Sequence, residues 1–156
     1  MWKLLIFATL LTNACALPFV QNIFSNQVQA TITNCGDSSD ILRLDYLNFI
    51  PNPPLKGQPL TFDGKGFLKE TVNRGAYIDL TVKYGLIKLL QQKLDLCDEV
   101  EKIGMQCPLS EGEHDVEHTE TLPREIPPGK YTVNAVVYTE DHRRIACINA
   151  VAIFKP

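Results

Sequence analysis

Four of the chain's five cysteines (Cys35, Cys97, Cys107 and Cys147) stand among strand-like segments, while Cys15 lies in an apolar N-terminal stretch. If that stretch is removed on export, an even set of four remains, which reads as a disulfide framework in an oxidising compartment. Most cytosolic enzyme classes are excluded by that reading. The N-terminus has the layout of a secretory leader. Lys3 supplies the charge, Leu4 to Leu11 is apolar apart from Thr9, and Ala14-Cys15-Ala16 is a small-residue cleavage site. Residues 1–16 are therefore expected to be a signal peptide and residues 17–156 a single domain. The apolar stretch is shorter than the roughly 20 residues of a membrane span. Lipidation of Cys15 is a poor alternative, because Leu11-Thr12-Asn13-Ala14 suits that signal badly. A soluble mature protein is expected.

The formal net charge of −3 gives no basic footprint, so no nucleic-acid partner is expected. Local charge is less even. Asp63 to Lys93 holds six basic residues against three acids, whereas Asp95 to Glu125 holds ten acids against Lys102 and Arg124. A basic side and an acidic side are one consequence; two solvated surfaces without a partner are the other.

Most segments alternate as strands do. Val28 to Cys35 alternates, as do Leu42, Leu44 and Tyr46, and Leu60, Phe62 and Leu68. The cleanest run is Ala76, Ile78, Leu80, Val82 and Tyr84, followed later by Tyr131, Val133, Ala135 and Val137. Ile145 to Phe154 is nearly all apolar and is expected to be a strand buried on both faces. Proline- and glycine-rich turns separate the runs, at Pro51 to Pro54, Lys56-Gly57, Asn73 to Gly75 and Pro127 to Gly129. Short strands at this spacing predict an all-β antiparallel sandwich. Leu86, Ile87, Leu90 and Leu94 recur at helical spacing, so pattern alone slightly favours a helix there. Asp98 to Met105 has room for one helical turn.

The one enzymatic signature is His114-Asp115-Val116-Glu117-His118, which matches the inverted zinc-protease motif. That chemistry needs both histidines on one helical face, and this segment reads as strand or loop. On a strand the histidines share a face while Glu117 points away, so a solvated acidic strand edge is expected. No serine sits in a nucleophile elbow, and Gly64-Lys65-Gly66 marks a bulge or close backbone approach more naturally than a phosphate loop. Neither catalysis nor a cofactor or metal is expected. Four cysteines allow three pairings; a local Cys97–Cys107 staple is the simplest, and it leaves Cys35 with Cys147.

Several groups then line up in order: Pro54-Leu55-Lys56-Gly57, Leu96-Cys97, Cys107-Pro108 with Gly112, Leu122-Pro123, Ile126 to Val133, and Ile145-Ala146-Cys147-Ile148. Their order and spacing resemble the ML lipid-recognition domain family. The likeness is greatest to its fungal phosphatidylglycerol/phosphatidylinositol transfer branch and more distant to the Niemann-Pick type C sterol carrier. It runs from about Val28 to Phe154. The resemblance implies an immunoglobulin-like sandwich of seven or eight strands, whose two sheets part around an apolar cavity. It implies that Leu86 to Leu96 is strand, and that Cys35 pairs with Cys147 and Cys97 with Cys107. Animal sterol carriers have a further disulfide in the early loop; this chain has no cysteine between Cys35 and Cys97.

A secreted or vacuolar-lumen carrier is the implied function, with a phospholipid ligand ahead of a sterol. Its expected lining is Leu60, Phe62, Leu68, Ile78, Leu80, Val82, Leu94, Leu96, Val133 and Val137, which in any sandwich would otherwise be plain core. A monomer is expected, touching anionic membrane surfaces transiently through the basic segment Lys65 to Lys93. Disulfides tying first strand to last would let the sheets separate in the middle. The competing expectation is an extracellular interaction module with a solid core.

Overall fold

A computed structural model describes residues 29–156. The expected signal peptide, its cleavage point near Leu17, and Val28 lie outside the described residues. Eight strands and one helix follow in order: β1 (Thr31–Asn34), β2 (Leu42–Ile50), β3 (Pro59–Leu68), β4 (Tyr77–Tyr84), β5 (Ile87–Asp95), α1 (Leu96–Lys102), β6 (Gly112–Thr121), β7 (Gly129–Tyr138) and β8 (Arg144–Phe154). They form a five-stranded sheet, β1-β8-β7-β4-β5, and a three-stranded sheet, β2-β3-β6, with every pairing antiparallel. The all-β sandwich expected from period-two alternation is what the chain builds.

The register decides which side chains face the other sheet. Ile78, Leu80 and Val82 of β4 stand opposite Val137, Ala135 and Val133 of β7. Those in turn stand opposite Ala146, Ile148 and Ala150 of β8. In the smaller sheet Phe49 pairs with Phe62, Leu47 with Gly64 and Leu42 with Leu68. One alternation breaks. Asp45 is an extra residue between the Leu44–Gly66 and Tyr46–Lys65 pairs, a β-bulge that reverses the strand's faces. Tyr46 therefore points outward, 40% exposed, and Leu47 and Phe49 turn inward. The glycines opposite are needed for close approach: a Cβ at Gly66 would stand 2.8 Å from Leu42 Cδ1 and 2.9 Å from the Arg43 carbonyl.

Leu86 to Leu96 is strand rather than helix, apart from its ends. Gly85 and Leu86 form a two-residue turn, with Gly85 at a φ of 55° in its first central position. That turn folds β5 back on β4, and the pairing with β4 outweighs the helical spacing of the leucines. Leu96 instead opens α1. Asp95 caps that helix by accepting from the amides of Cys97 (2.8 Å) and Asp98 (3.2 Å), so the helix begins two residues before the expected turn. Ile145 to Phe154 is also less covered than its composition predicts. Only Ile145, Ala146 and Cys147 are buried, and the rest of β8 is half-buried or, at Ile153, exposed.

The largest buried cluster lies at one end. Ile41, Leu68, Val72, Ala76, Leu96, Val100, Leu109, Ile145 and Ala146 form one cluster. Each large member stabilises by roughly 1.5–3 kcal/mol on burial. Reciprocal backbone hydrogen bonds between Val72 and Leu109 (2.8 and 2.9 Å) clamp the strand connections over it. The buried carboxylate of Asp40 accepts from Arg144 Nε at 2.6 Å. Both disulfides, Cys35–Cys147 and Cys97–Cys107, also lie in this half, as the position of Cys147 near the start of β8 and of Cys97 in α1 requires. The pairings are those implied by the family resemblance. Their placement differs from an arrangement that holds both ends of the sandwich, since the bonds tie one end and leave the other untied.

Candidate functional site

Two apolar cavities lie between the sheets. The deep one, about 280 Å³, borders the buried cluster and is lined by Leu68, Val72, Leu96, Val100, Leu109 and Ile145, with Leu47, Gly64, Val116 and Val137 toward the middle. The second, about 410 Å³, lies at the opposite end among Leu60, Phe62, Val82, Tyr131, Val133 and Phe154, with Leu122, Pro123 and Ile126 of the β6–β7 connection also lining it. Phe49 and Phe62 stand edge to face at 5.3 Å between centroids, on strand positions adjacent to Leu47 and Gly64. This aromatic pair marks the boundary between the two spaces.

The spaces exist because many inward positions carry small side chains. Ala135 faces in from β7, and Ala146, Ala150 and Ala152 from β8. Two sheets about 10 Å apart need large interdigitating residues to fill the gap between them, and these residues leave it unfilled. At the second cavity an aromatic row crosses three strands, Tyr84 to Tyr131 at 5.2 Å and Tyr131 to Phe154 at 5.6 Å. The phenol groups are satisfied elsewhere: Tyr84 donates to the Pro128 carbonyl (2.8 Å) and Tyr131 to the Pro127 carbonyl (3.1 Å). The turn thus occupies their polar tips and leaves apolar ring surface toward the cavity.

Of the ten expected lining residues, Leu60, Phe62, Val82 and Val133 line the mouth cavity, and Leu68, Leu96 and Val137 the deep one. Ile78 packs against the buried cluster. Leu80 and Leu94 are half-buried and line neither space. Sequence reasoning missed Phe49, Tyr131, Phe154 and His114. The bulge at Asp45 hid Phe49. His114 belonged to a segment read as a solvated edge; β6 is an edge strand, yet His114 faces the deep cavity and its Nε2 lies 2.7 Å from the Ser110 carbonyl. His118 shares that face and Glu117 lies on the other, as strand geometry requires.

The basic segment does not form one surface. Lys65 sits on the outer face of β3, 3.4 Å from Glu113 and 3.7 Å from Asp115, and these carboxylates raise its pKa. Lys69 donates to the carbonyls of Ser38 (2.7 Å) and Asp40 (2.6 Å) at the closed end. Lys93 lies over the Tyr77 ring at 3.4 Å. Lys83 and Lys88 alone of the six flank the β4–β5 turn, at the mouth end.

A disulfide-tied, two-sheet sandwich with unfilled apolar space between its sheets is the form of the lipid-recognition β-sandwiches. The ML domain family matches residues 29–154, and the chain belongs to that family. Among its relatives is a phosphatidylglycerol/phosphatidylinositol transfer protein of Aspergillus fumigatus, 47% identical over 117 residues, which are 74% of this chain and 67% of the relative. A protein of the same description from Debaryomyces hansenii is 46% identical over 80% of this chain and 64% of its own length, so the chain spans about two thirds of these relatives. Solved structures share the fold. A Niemann-Pick type C2 protein from Japanese carpenter ant superposes with a TM-score of 0.56 at 15% identity, covering 80% of this chain and 99% of that one. Chicken MD-1 complexed with lipid IVa gives 0.59 at 18% identity, over 81% and 90%.

Proposed function

We propose that this chain binds a phospholipid in its inter-sheet space and carries it between membranes, as the names of its fungal relatives describe for them. The observation that carries this reading is the mouth cavity: apolar side chains from both sheets face one another across unfilled space instead of packing together. An acyl chain in water is unfavourable by on the order of 10 kcal/mol, at about 0.8 kcal/mol per methylene. A cavity that offers equivalent apolar surroundings makes extraction from a bilayer nearly balanced, so the carrier needs neither nucleotide hydrolysis nor a covalent intermediate.

Phosphatidylglycerol or phosphatidylinositol is favoured over sterol. The early loop lacks the extra cysteine pair of the animal sterol carriers, and the relatives at 46–47% identity are named for these phospholipids. Two disulfides favour a secreted or vacuolar-lumen setting. The chain acts as a monomer that contacts anionic membrane surfaces transiently. Transfer of fluorescent phosphatidylglycerol, phosphatidylinositol, phosphatidylcholine and sterol between donor and acceptor vesicles tests the proposal. Faster transfer of the first two is expected; no acceleration of any lipid would overturn the carrier reading.

A further inference from the structure

The tip of the β4–β5 hairpin points apolar side chains into water. Leu86 is fully exposed, Ile87 is 64% and Leu89 55% exposed. Leu89 is the extra residue of a bulge between the Val82–Leu90 and Lys83–Lys88 pairs, so it has no partner across the strands. The tip is fixed beside the mouth cavity. The Gly85 amide donates to the Lys130 carbonyl at 2.8 Å, and Tyr84 reaches Pro128 next to the lining residue Tyr131. Ile50, Leu55 and Ile153, at the same end, are 55%, 46% and 36% exposed. Exposed apolar groups collected at one end of a domain indicate a contact surface.

Charge indicates what it contacts. Lys83, Lys88, Lys130, Lys56, Arg124 and Lys155 belong to the strand ends and loops at this end, against the acids Glu120 and Glu125. The closed end has the opposite balance, with Asp95, Asp98, Glu99 and Glu101 at the start of α1 and along it. An apolar tip ringed by cations fits a phase that is anionic at its surface and apolar beneath: a bilayer containing acidic phospholipid. A second copy fits poorly. Antiparallel pairing along the free edge of β5 would set Lys88 and Lys93 of each chain among those of the other, and the bulge at Leu89 disrupts the edge.

We propose that Leu86, with Ile87 and Leu89, is the element this chain inserts among the head groups of an anionic bilayer. Lys83, Lys88 and Lys130 meet the phosphates, and the mouth cavity faces the membrane. This rests on the carrier reading and adds where the docking occurs.

The test uses the expected mature chain, residues 17–156, with a Leu86→Trp reporter. The sequence's single tryptophan, Trp2, falls in the expected leader, so the emission comes from position 86 alone. Vesicles containing phosphatidylglycerol are expected to shift the reporter's emission to the blue. Bromine-labelled lipid should quench it, and salt should weaken both effects. The double variant Leu86→Asp/Ile87→Asp, at exposed positions that leave the core intact, should partition onto these vesicles about tenfold less, with its co-purified phospholipid unchanged. A reporter that stays solvent-like on vesicles, or a double variant that partitions like the parent, overturns the proposal. So does a blue shift that grows with protein concentration in the absence of vesicles, which would assign the tip to a second copy. A parent that carries no phospholipid would sink the carrier reading instead, and the reporter is read independently of that result.

Discussion

The two ends of this sandwich are made from the same eight strands and finish differently. At one end Val72, Leu96, Val100, Leu109 and Ile145 belong to one buried cluster beside the smaller cavity, α1 packs there, and two disulfides tie the connections. At the other, Val133, Ala150, Ala152 and Tyr131 remain half-buried around the larger cavity, which Leu122, Pro123 and Ile126 also line. The largest buried cluster and both disulfides share one end, and the end with the larger cavity has neither. A domain of this size needs one good core, and it need not span the whole sandwich.

The largest expected effect tests the tied end. Replacing Cys35 and Cys147 by serine removes a link across a sequence separation of 112. In the chain-entropy picture such a link contributes about 5 kcal/mol, against roughly 3 kcal/mol for the shorter Cys97–Cys107 loop. Urea unfolding of both double variants measures the two losses, and small losses from both would show that the disulfides do not hold the tied end. Next come paired truncations. Leu96→Ala should cost about 3 kcal/mol, because Leu96 belongs to the buried cluster and its loss enlarges the space beside it. Val133→Ala, already facing open space, should cost about 1 kcal/mol or less in the same unfolding assay. Comparable losses would mean that the mouth is ordinary core.

The smallest effect is electrostatic and sharpens the picture of the closed end. The Ser39 hydroxyl and amide, with Arg144, hold the Asp37 carboxyl down at about 2. Because the folded-state pKa is depressed, that stabilisation is present above the unfolded carboxyl's value near 4 and is lost as pH falls toward 2. Asp37→Asn should flatten the fall in Tm between pH 4 and pH 2 slightly. An unchanged slope would show that the Asp37 contacts contribute nothing.

How much of this was readable from residues alone follows the physics of strands. Alternation fixes which face a side chain takes, so β3, β4 and β7 and their inward residues were legible, and seven of the ten expected residues line one cavity or the other. Alternation says nothing about a bulge, which is why Tyr46 was placed on the wrong face and Phe49 was missed. It also cannot give the distance between sheets. A usable signal is present nonetheless: Ala135, Ala150 and Ala152 occupy inward positions where a packed sandwich places large residues. The basic segment misled because neighbours in sequence on alternating strands go to opposite ends and faces, as Lys65, Lys69 and Lys88 do.

The central claim is that the untied end holds a lipid where another sandwich holds core. Mass spectrometry of the organic extract of the purified chain, run beside Ala150→Phe, tests it most directly. Filling the space at Ala150 should leave unfolding stability unchanged, where overpacking a closed core costs about 1–3 kcal/mol. It should also remove the phospholipid, expected at about one per parent chain. A parent extract without lipid, or an Ala150→Phe chain that loses stability and keeps its lipid, would contradict the account.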